Sequence, residues 1–316
     1  MNDPVASGQA PFSVAYLGPA GTFTEEALLG EPDLAAGRPV PLASIPEVLA
    51  ATSQGEVDYG FVAIENSIEG TVTVTMDTLA FDADLLIQRE VVLNVRLSLL
   101  GLPGAQISDI RRVVSFPHAT AQCRGFLNSN LPDARTGAAD STADAARVLS
   151  ESVDRTTAAI GTSLAARVYG LDELATDIED HPENQTRFVV VAREGVPEPT
   201  GHDKTSIVVY QRADRPGSLL AILQEFAARS INLSKLESRP TKRALGEYCF
   251  MIDLDGHVAD EVVTDCLRNL KAKQADVKFL GSYPAAGEEG HELRRDADAS
   301  WREADRWVQE IRSHIR

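Results

Sequence analysis

Four consecutive side chains that can form hydrogen bonds stand directly before an apolar run: Asn184, Gln185, Thr186 and Arg187. The run that follows, Phe188 and three valines, is typical of a strand buried in a parallel sheet. Such a strand rarely begins with four polar side chains unless a ligand lies at its end. Arg187 could bind a carboxylate with two parallel hydrogen bonds, and Thr186 could donate to an oxygen that the two amides orient. The alternative is a turn at the strand edge in which Arg187 forms a structural ion pair.

Three further polar turns follow predicted strands in the same half of the chain. They are GPAGTFT (18–24), IENSIEGTV (64–72) and SFPHATAQC (115–123). Because the carboxyl ends of parallel strands and the N-termini of the following helices collect ligands, we expect these turns to meet at one site. Capping alone could explain some of the polar residues, and Thr22 with Glu25 fits a capping box. The candidate positions are Gly21, Thr22, Glu65, Asn66, Ser67, Ser115 and Gln122.

The groups in these four turns suit the binding of an oxygen-rich anion without a metal. They supply hydroxyls, amides, backbone N–H groups and one guanidinium, but few bases. His118 is expected to be a surface or capping residue in the first turn of a helix. The six histidines lack metal-ligand spacing, and neither a dinucleotide fingerprint nor a nucleophile elbow is present. We therefore predict no metal and no cofactor. From the residues alone, the chain is a two-lobed binder of a small acid or an enzyme acting on one.

The composition of the chain limits which partners it is expected to bind and in which cellular compartment it is expected. The 316 residues carry a formal net charge of -17, which argues against nucleic acid and anionic membranes, because phosphate binding needs a basic face. Three cysteines without a CxxC pair favour a reducing cytoplasm. The longest apolar stretch, 91–102, contains Asn94 and Arg96 and is too short to span a bilayer. No signal peptide is visible.

The elements that must position these turns divide the chain into four parts. Strands alternate with helices over residues 12–192, which predicts an α/β fold with a mainly parallel sheet. Residues 193–203 carry Pro and Gly without apolar periodicity and are the predicted linker. Residues 204–284 have the order βαββαβ of a ferredoxin-like unit. Residues 285–316 form a charged tail that ends in a helix, which we expect to pack on its own domain or a partner subunit. Its apolar stripe is Trp301, Ala304, Trp307, Val308, Ile311 and Ile315.

The motifs in this order resemble those of prephenate dehydratases. They are GPAGTFTEEA, GFVAIENSIEG through TVTVTMDTL, SFPHATAQCRGFL, STADAA and NQTRF. PGSLLAIL and ESRP resemble the regulatory ACT domain that follows in those enzymes, and the resemblance covers residues 12–284. One departure concerns Phe116 and His118, where many members have His and Gln, so no role is assigned to these two residues.

The resemblance implies a two-lobed, periplasmic-binding-protein-like catalytic domain followed by a ferredoxin-like ACT domain. It implies conversion of prephenate to phenylpyruvate with loss of water and carbon dioxide, and Thr186 is then the group that assists departure of the ring hydroxyl. Arg187, the backbone at Gly21–Thr22 and the turn at Asn66–Ser67 would hold the two carboxylates. Ser115 and Gln122 would complete the hydrogen bonds, and Phe188 would form an apolar wall. Glu65 would tune the proton network or cap a helix.

The ACT resemblance also implies feedback inhibition by phenylalanine, bound where two copies of the domain meet. An effector site between two copies of the domain requires a homodimer, and the family resemblance also allows a homotetramer. No chorismate mutase segment precedes residue 12. Two alternatives remain open: a binding protein without activity, and an arogenate dehydratase, whose substrate has an amine in place of the keto group. The predicted effector residues are Gly217, Ser218, Leu219, Asn232, Glu237, Ser238, Arg239 and Pro240.

Overall fold

A computed structural model describes residues 12–211, 215–242, 247–273, 276–286, 306–308 and 310–314. In this part of the chain the strands are β1 (Ser13–Leu17), β2 (Arg38–Leu42), β3 (Tyr59–Asn66), β4 (Gly70–Thr71), β5 (Leu86–Asn94), β6 (Ser98–Gly101), β7 (Arg112–Ser115), β8 (Arg135–Ala138), β9 (Thr157–Gly161), β10 (Asp172–Ala175), β11 (Gln185–Ala192), β12 (Asp203–Tyr210), β13 (Leu233–Pro240), β14 (Tyr248–Asp255) and β15 (Asp276–Pro284). The helices are α1 (Phe23–Leu29), α2 (Pro32–Ala35), α3 (Ile45–Gln54), α4 (Thr73–Asp77), α5 (Pro117–Ala121), α6 (Arg124–Asn130), α7 (Thr142–Ser150), α8 (Ser163–Tyr169), α9 (Ser218–Ala227) and α10 (Glu261–Lys273).

The chain forms two compact units. One contains residues 12–78 and 91–189, and the other contains residues 79–90 and the described residues from 190 onwards. Strands β5 and β11 each pass from one unit to the other. The first unit has two lobes, each built on one sheet.

The first lobe is built on a six-stranded sheet of order β2-β1-β3-β11-β5, with β4 paired to β3. Strand β1 is parallel to both β2 and β3. Its burial pattern is almost continuous, as expected for a parallel strand covered on both faces. The polar segments after β1 and β3 and the polar start of β11 are thereby placed in one sheet.

The second lobe has a five-stranded sheet of order β10-β6-β9-β7-β8. Its centre is parallel, with β7 between β8 and β9, whereas β6 runs antiparallel to β9 and β10. The long apolar stretch after residue 85 thus forms two strands, β5 and β6, in different sheets. A core that includes Leu99, Val113, Ile160 and Leu127 packs α6 against this sheet.

Side-chain caps fix where three helices of the first unit begin. Thr22 accepts from the backbone N–H of Glu25 (3.3 Å), and Ser141 caps α7 by accepting from Asp144 (2.9 Å). The Thr22 cap confirms the sequence prediction. Thr162 caps α8 in the same way (2.9 Å). The Glu25 carboxylate returns to the N–H of Gly21 (2.6 Å), one residue before the cap, so it also orders the turn that leads into α1.

The second unit contains the predicted βαββαβ order. β12, α9, β13, β14, α10 and β15 form a four-stranded sheet of order β13-β14-β12-β15, in which all neighbours are antiparallel. Apolar residues of α9 and α10 form one core with the sheet; Phe226 and Leu270 are among its fully buried members. This arrangement is the ferredoxin-like fold.

Residues 79–90 pack with this second unit although they lie between α4 and β5 in sequence. Tyr210 Oη donates to the carbonyl of Ala80 (2.8 Å), and Lys278 Nζ donates to that of Ala83 (2.7 Å). Lys204 Nζ lies 2.8 Å from Glu90 Oε1, and the Glu90 side chain is 1% exposed. The segment is therefore held by hydrogen bonds from side chains to its backbone carbonyl groups and by the ion pair of the buried Glu90 with Lys204.

Gly281 marks the closest backbone approach of this packing. It has φ +138°, and a Cβ atom there would lie 2.5 Å from the carbonyl oxygen of Ile87. The pairing of β12 with β15 shifts register between Ser206 and Ile207, opposite this glycine. The combination of a shift with a positive φ is typical of a β-bulge at glycine.

The C-terminal stripe is described only in part. Trp301, Ala304 and Ile315 lie outside the described residues. Trp307 and Ile311 are exposed, so packing of this helix stays a prediction. None of the helices in the described part of the chain combines the length and the apolar character needed to cross a bilayer.

Candidate active site

A cavity of about 320 Å³ is lined by elements of both sheets of the first unit. It lies where β1, β3, β7 and β8 end and where β11 begins, which is the edge expected for a ligand site in an α/β fold. Of the predicted site residues, four line it: Thr22, Asn66, Gln122 and Thr186. The other six are not among its lining residues: Gly21, Glu65, Ser67, Ser115, Arg187 and Phe188.

A chain of side-chain hydrogen bonds crosses the floor of the cavity. Gln122 Oε1 accepts from Asn184 Nδ2 (3.2 Å). Asn66 Nδ2 donates to Asn184 Oδ1 (2.9 Å) and to Thr186 Oγ1 (2.9 Å). Because the Thr186 oxygen accepts this bond, its own proton can point into the cavity.

The orientation of the Asn66 amide is fixed by the backbone. Its Oδ1 accepts from the N–H groups of Ile68 and Glu69, each at 2.9 Å. The Nδ2 edge must therefore face Asn184 and Thr186. Ser67 supports the same arrangement, since its hydroxyl donates to Asn184 Oδ1 (3.2 Å) and accepts from the N–H of Gln185 (3.0 Å). The turn after β3 thus holds the start of β11.

Asn184 has a larger part in this network than its sequence suggested. The sequence indicated only that it could orient an oxygen, and its polar position directly before a buried strand was the available signal. Its side chain is buried (2% exposed) and connects Gln122 of the second lobe to Asn66 of the first.

Arg187 forms the ion pair that the sequence left as the alternative. Its Nη1 lies 3.5 Å from Glu65 Oε2, and its side chain is 12% exposed. The pair joins β11 to β3, neighbours in the sheet.

Three other predicted residues, Phe188, Ser115 and Thr22, are fixed by contacts with neighbouring elements. Phe188 is buried and stacks on Phe61, with ring centroids 5.2 Å apart. Ser115 is also buried and donates its hydroxyl proton to the carbonyl of Ile160 (2.7 Å). Thr22, besides capping α1, donates to the carbonyl of Leu17 (3.1 Å).

Gly21 lies where the two lobes touch. Its carbonyl accepts from Thr162 Oγ1 (2.9 Å), and the carbonyl of Ala20 accepts from Tyr169 Oη (2.8 Å). Gly21 has φ +87°, and a Cβ there would lie 3.0 Å from Ala165 Cα. Close packing of the lobes therefore accounts for glycine at this position. Burial raises the pKa of the Tyr169 phenol, which keeps it a hydrogen-bond donor.

The lining is mostly neutral. Its ionisable side chains are His118 and Asp140. Burial raises the pKa of the Cys123 thiol to about 12, so this cysteine stays protonated and is no nucleophile at neutral pH. Within the described ranges, no group of three His, Cys, Asp or Glu side chains could hold a metal ion.

Comparisons with known proteins identify the family of the chain. A family model described as prephenate dehydratase matches residues 14–196, and one described as ACT domain matches residues 205–272. A prephenate dehydratase of Mycolicibacterium gilvum is 42% identical over 311 residues, which cover 95% of this chain and 98% of that protein. The chain belongs to the prephenate dehydratase family.

Solved structures of similar proteins show the same fold. The crystal structure of prephenate dehydratase from Arthrobacter aurescens in complex with L-Phe is 41% identical, with a TM-score of 0.87; the match covers 95% of this chain and 99% of that one. GqqA, described as a novel type of quorum quenching acylase, is 28% identical with a TM-score of 0.80, covering 87% of this chain and 98% of that one. The predicted fold class, two-lobed α/β with a following ACT domain, is confirmed.

In this member of the prephenate dehydratase family, the ACT unit has a cavity of about 560 Å³. Four of the predicted effector residues line it: Gly217, Ser218, Leu219 and Ser238. Four others are not among its lining residues: Asn232, Glu237, Arg239 and Pro240. The remaining lining residues are not among those predicted from the sequence: Gln211, Arg215, Leu220, Leu223, Tyr248 and Phe250.

Three of the four effector residues outside the cavity form polar contacts there: Asn232, Glu237 and Arg239. Asn232 Nδ2 donates to Asp255 Oδ2 (3.0 Å). Glu237 lies between two cations, with Arg239 Nη1 at 3.6 Å and Lys235 Nζ at 3.9 Å. Their contact with an effector stays a prediction.

Proposed function

We propose that the chain converts prephenate to phenylpyruvate and that Thr186 assists departure of the ring hydroxyl. The observation that carries this proposal is the bond from Asn66 Nδ2 to Thr186 Oγ1 (2.9 Å) inside the cavity. A hydroxyl whose oxygen already accepts one hydrogen bond is a stronger donor in a second one, because hydrogen bonds in a chain polarise one another.

The reaction breaks two bonds of the substrate ring. The bond to the ring carboxylate breaks, its electron pair becomes part of the aromatic ring, and carbon dioxide leaves. The bond to the ring hydroxyl breaks at the other end, and the hydroxide leaves as water once it has a proton. Thr186 donates its hydrogen bond to that departing oxygen, where negative charge develops. Aromatisation drives the reaction, so the protein's work is positioning and stabilisation of this charge.

The neighbouring residues hold the substrate and the donor in place. Gln122 faces the cavity, where its amide, with the helix starts capped by Thr22 and Ser141, offers neutral donors to carboxylates. The Asn66 amide holds Thr186 in place. Leu17, Val95 and Leu97 give the ring an apolar surface. We propose that the six predicted residues outside the lining fix the position of the backbone around the cavity. They are Gly21, Glu65, Ser67, Ser115, Arg187 and Phe188.

One assay tests the proposed function against its rivals. Purified protein is given prephenate and, separately, arogenate, and the aromatic product is followed by absorbance. Phenylpyruvate from prephenate supports the proposal. Phenylalanine from arogenate alone makes the chain an arogenate dehydratase, and the absence of both products leaves a binding protein.

We propose further that phenylalanine inhibits the enzyme from the ACT cavity, in a homodimer or homotetramer located in the cytoplasm. The support is the L-Phe complex of the Arthrobacter relative and the composition of the cavity. Leu219, Leu223 and Phe250 can surround a phenyl ring, and Arg215 can meet a carboxylate.

Replacement of Gly217 with valine should weaken this inhibition. Gly217 is the N-cap of α9 with φ +87°, a conformation that costs a β-branched residue about 1–2 kcal/mol. We expect the phenylalanine concentration for half inhibition to rise about tenfold or more, with unchanged turnover in the absence of phenylalanine. Gly201→Val is the matched control, because Gly201 has φ +83° in the same unit and is not among the residues lining the cavity. Equal inhibition curves for both variants and wild type would remove the effector from this cavity.

A further inference from the structure

The lining of the cavity has no positively charged side chain for its proposed ligand unless His118 is protonated. Prephenate carries two carboxylates, and the chain has a net charge of -17. The ionisable side chains of the lining are His118 and Asp140. With a neutral imidazole the lining carries one negative charge; with an imidazolium it carries none. His118 is thus the lining side chain that can supply a positive charge to an anionic substrate.

The structure holds the His118 ring in a defined orientation. Nδ1 lies 2.8 Å from Glu69 Oε2, and Glu69 belongs to the turn whose N–H groups bind Asn66 Oδ1. The ring also stacks on Phe116, with centroids 5.3 Å apart and an angle of 15° between the planes. Since Nδ1 faces Glu69, Nε2 lies on the opposite edge of the ring. Nδ1 therefore contacts a residue of the first lobe, and Nε2 can bind a ligand.

We propose that His118 binds a carboxylate of the substrate through Nε2–H, as an imidazolium that Glu69 holds at Nδ1. This inference rests on the proposed function, because it takes the dianion prephenate as the ligand. Glu69 contacts Nδ1 and keeps the ring in place, and Asp140, which lines the same cavity, adds a negative charge that an imidazolium offsets. Phe116 restricts rotation of the ring. A charge-assisted bond from an imidazolium to a carboxylate is about twice as strong as a neutral one.

Three variants of the full-length protein test this role. His118→Leu removes both ring nitrogens, His118→Gln keeps one donor without a charge, and Glu69→Gln removes the carboxylate that holds Nδ1. For His118→Leu we expect KM for prephenate to rise about tenfold with kcat within about twofold of wild type. His118→Gln and Glu69→Gln should give smaller increases in KM.

His181→Leu is the matched control. His181 is also exposed and lies 3.1 Å from a glutamate, Glu183, but it does not belong to the residues that line the cavity. Its KM should equal that of wild type. Thermal unfolding of every variant is compared, so that a loss of folded protein is not read as a loss of affinity.

The pH dependence provides a readout that a merely structural histidine would not change. The imidazolium binds and the neutral ring does not, so KM of wild type should increase with rising pH. This increase should be absent from His118→Gln. A wild-type KM for His118→Leu, or an equal pH profile in both proteins, overturns the inference while the proposed function stands. If wild type does not convert prephenate, the proposed function itself fails.

Discussion

Replacing Thr186 with valine is expected to lower kcat for prephenate by about 10²–10³-fold, the usual effect of removing one donor aimed at developing charge. Valine has nearly the same shape as threonine, so the cavity keeps its form. What is lost is the hydroxyl that accepts from Asn66 at 2.9 Å and that we propose as the donor to the departing oxygen. Because the donor acts mainly in the transition state, KM should change little.

Thr186→Ser is the control for this variant, since it restores the hydroxyl and loses one methyl group. Its kcat should lie within about tenfold of wild type, because only the positioning of the hydroxyl is loosened. Single-turnover kinetics separate the chemical step from product release. Near wild-type turnover in Thr186→Val would show that another group assists the hydroxide.

Replacing Gly281 with alanine is expected to lower the free energy of unfolding by about 3–5 kcal/mol, the sum of a strained backbone conformation and overpacking. The added Cβ would lie 2.5 Å from the carbonyl oxygen of Ile87 and 3.0 Å from its nitrogen. These are backbone atoms, so they cannot move aside as a flexible side chain would. Either β15 or the start of β5 must shift.

Gly201→Ala isolates the part of this effect that comes from the clash. Gly201 has φ +83°, but a Cβ there meets no atom within 4 Å, so only the conformational cost of about 1 kcal/mol remains. Denaturant unfolding followed by circular dichroism measures both variants. Equal losses of stability would mean that the approach to Ile87 is relaxed in solution.

The sequence predicted much of the secondary structure because local patterns determine it. The caps at Thr22 and Ser141 follow from residue types three positions apart, and the order βαββαβ follows from alternating apolar periods. The hydrogen bonds among Gln122, Asn184 and Asn66 could not be predicted. They depend on β11 lying beside β3, and sheet order is a property of the whole fold rather than of either strand.

The effector residues show a second limit. The motif ESRP identified a segment of four residues, but a strand sends neighbouring side chains to opposite faces. Of this segment, which belongs to β13, Ser238 lines the cavity. Similarly, the departure at Phe116 and His118 could not be interpreted without Glu69, which lies 49 positions before His118 and meets it only through the fold.

The attachment of residues 79–90 to the ACT unit restricts how this enzyme can be divided or recombined. Removal of the residues after the predicted linker (193–203) would leave Ala80 without Tyr210 and Glu90 without Lys204. It would also remove Gly281 from the backbone of Ile87, a residue that is fully buried in the intact chain. The catalytic half is therefore not a transferable module. A chimaera with another regulatory domain would have to exchange this twelve-residue insert together with it.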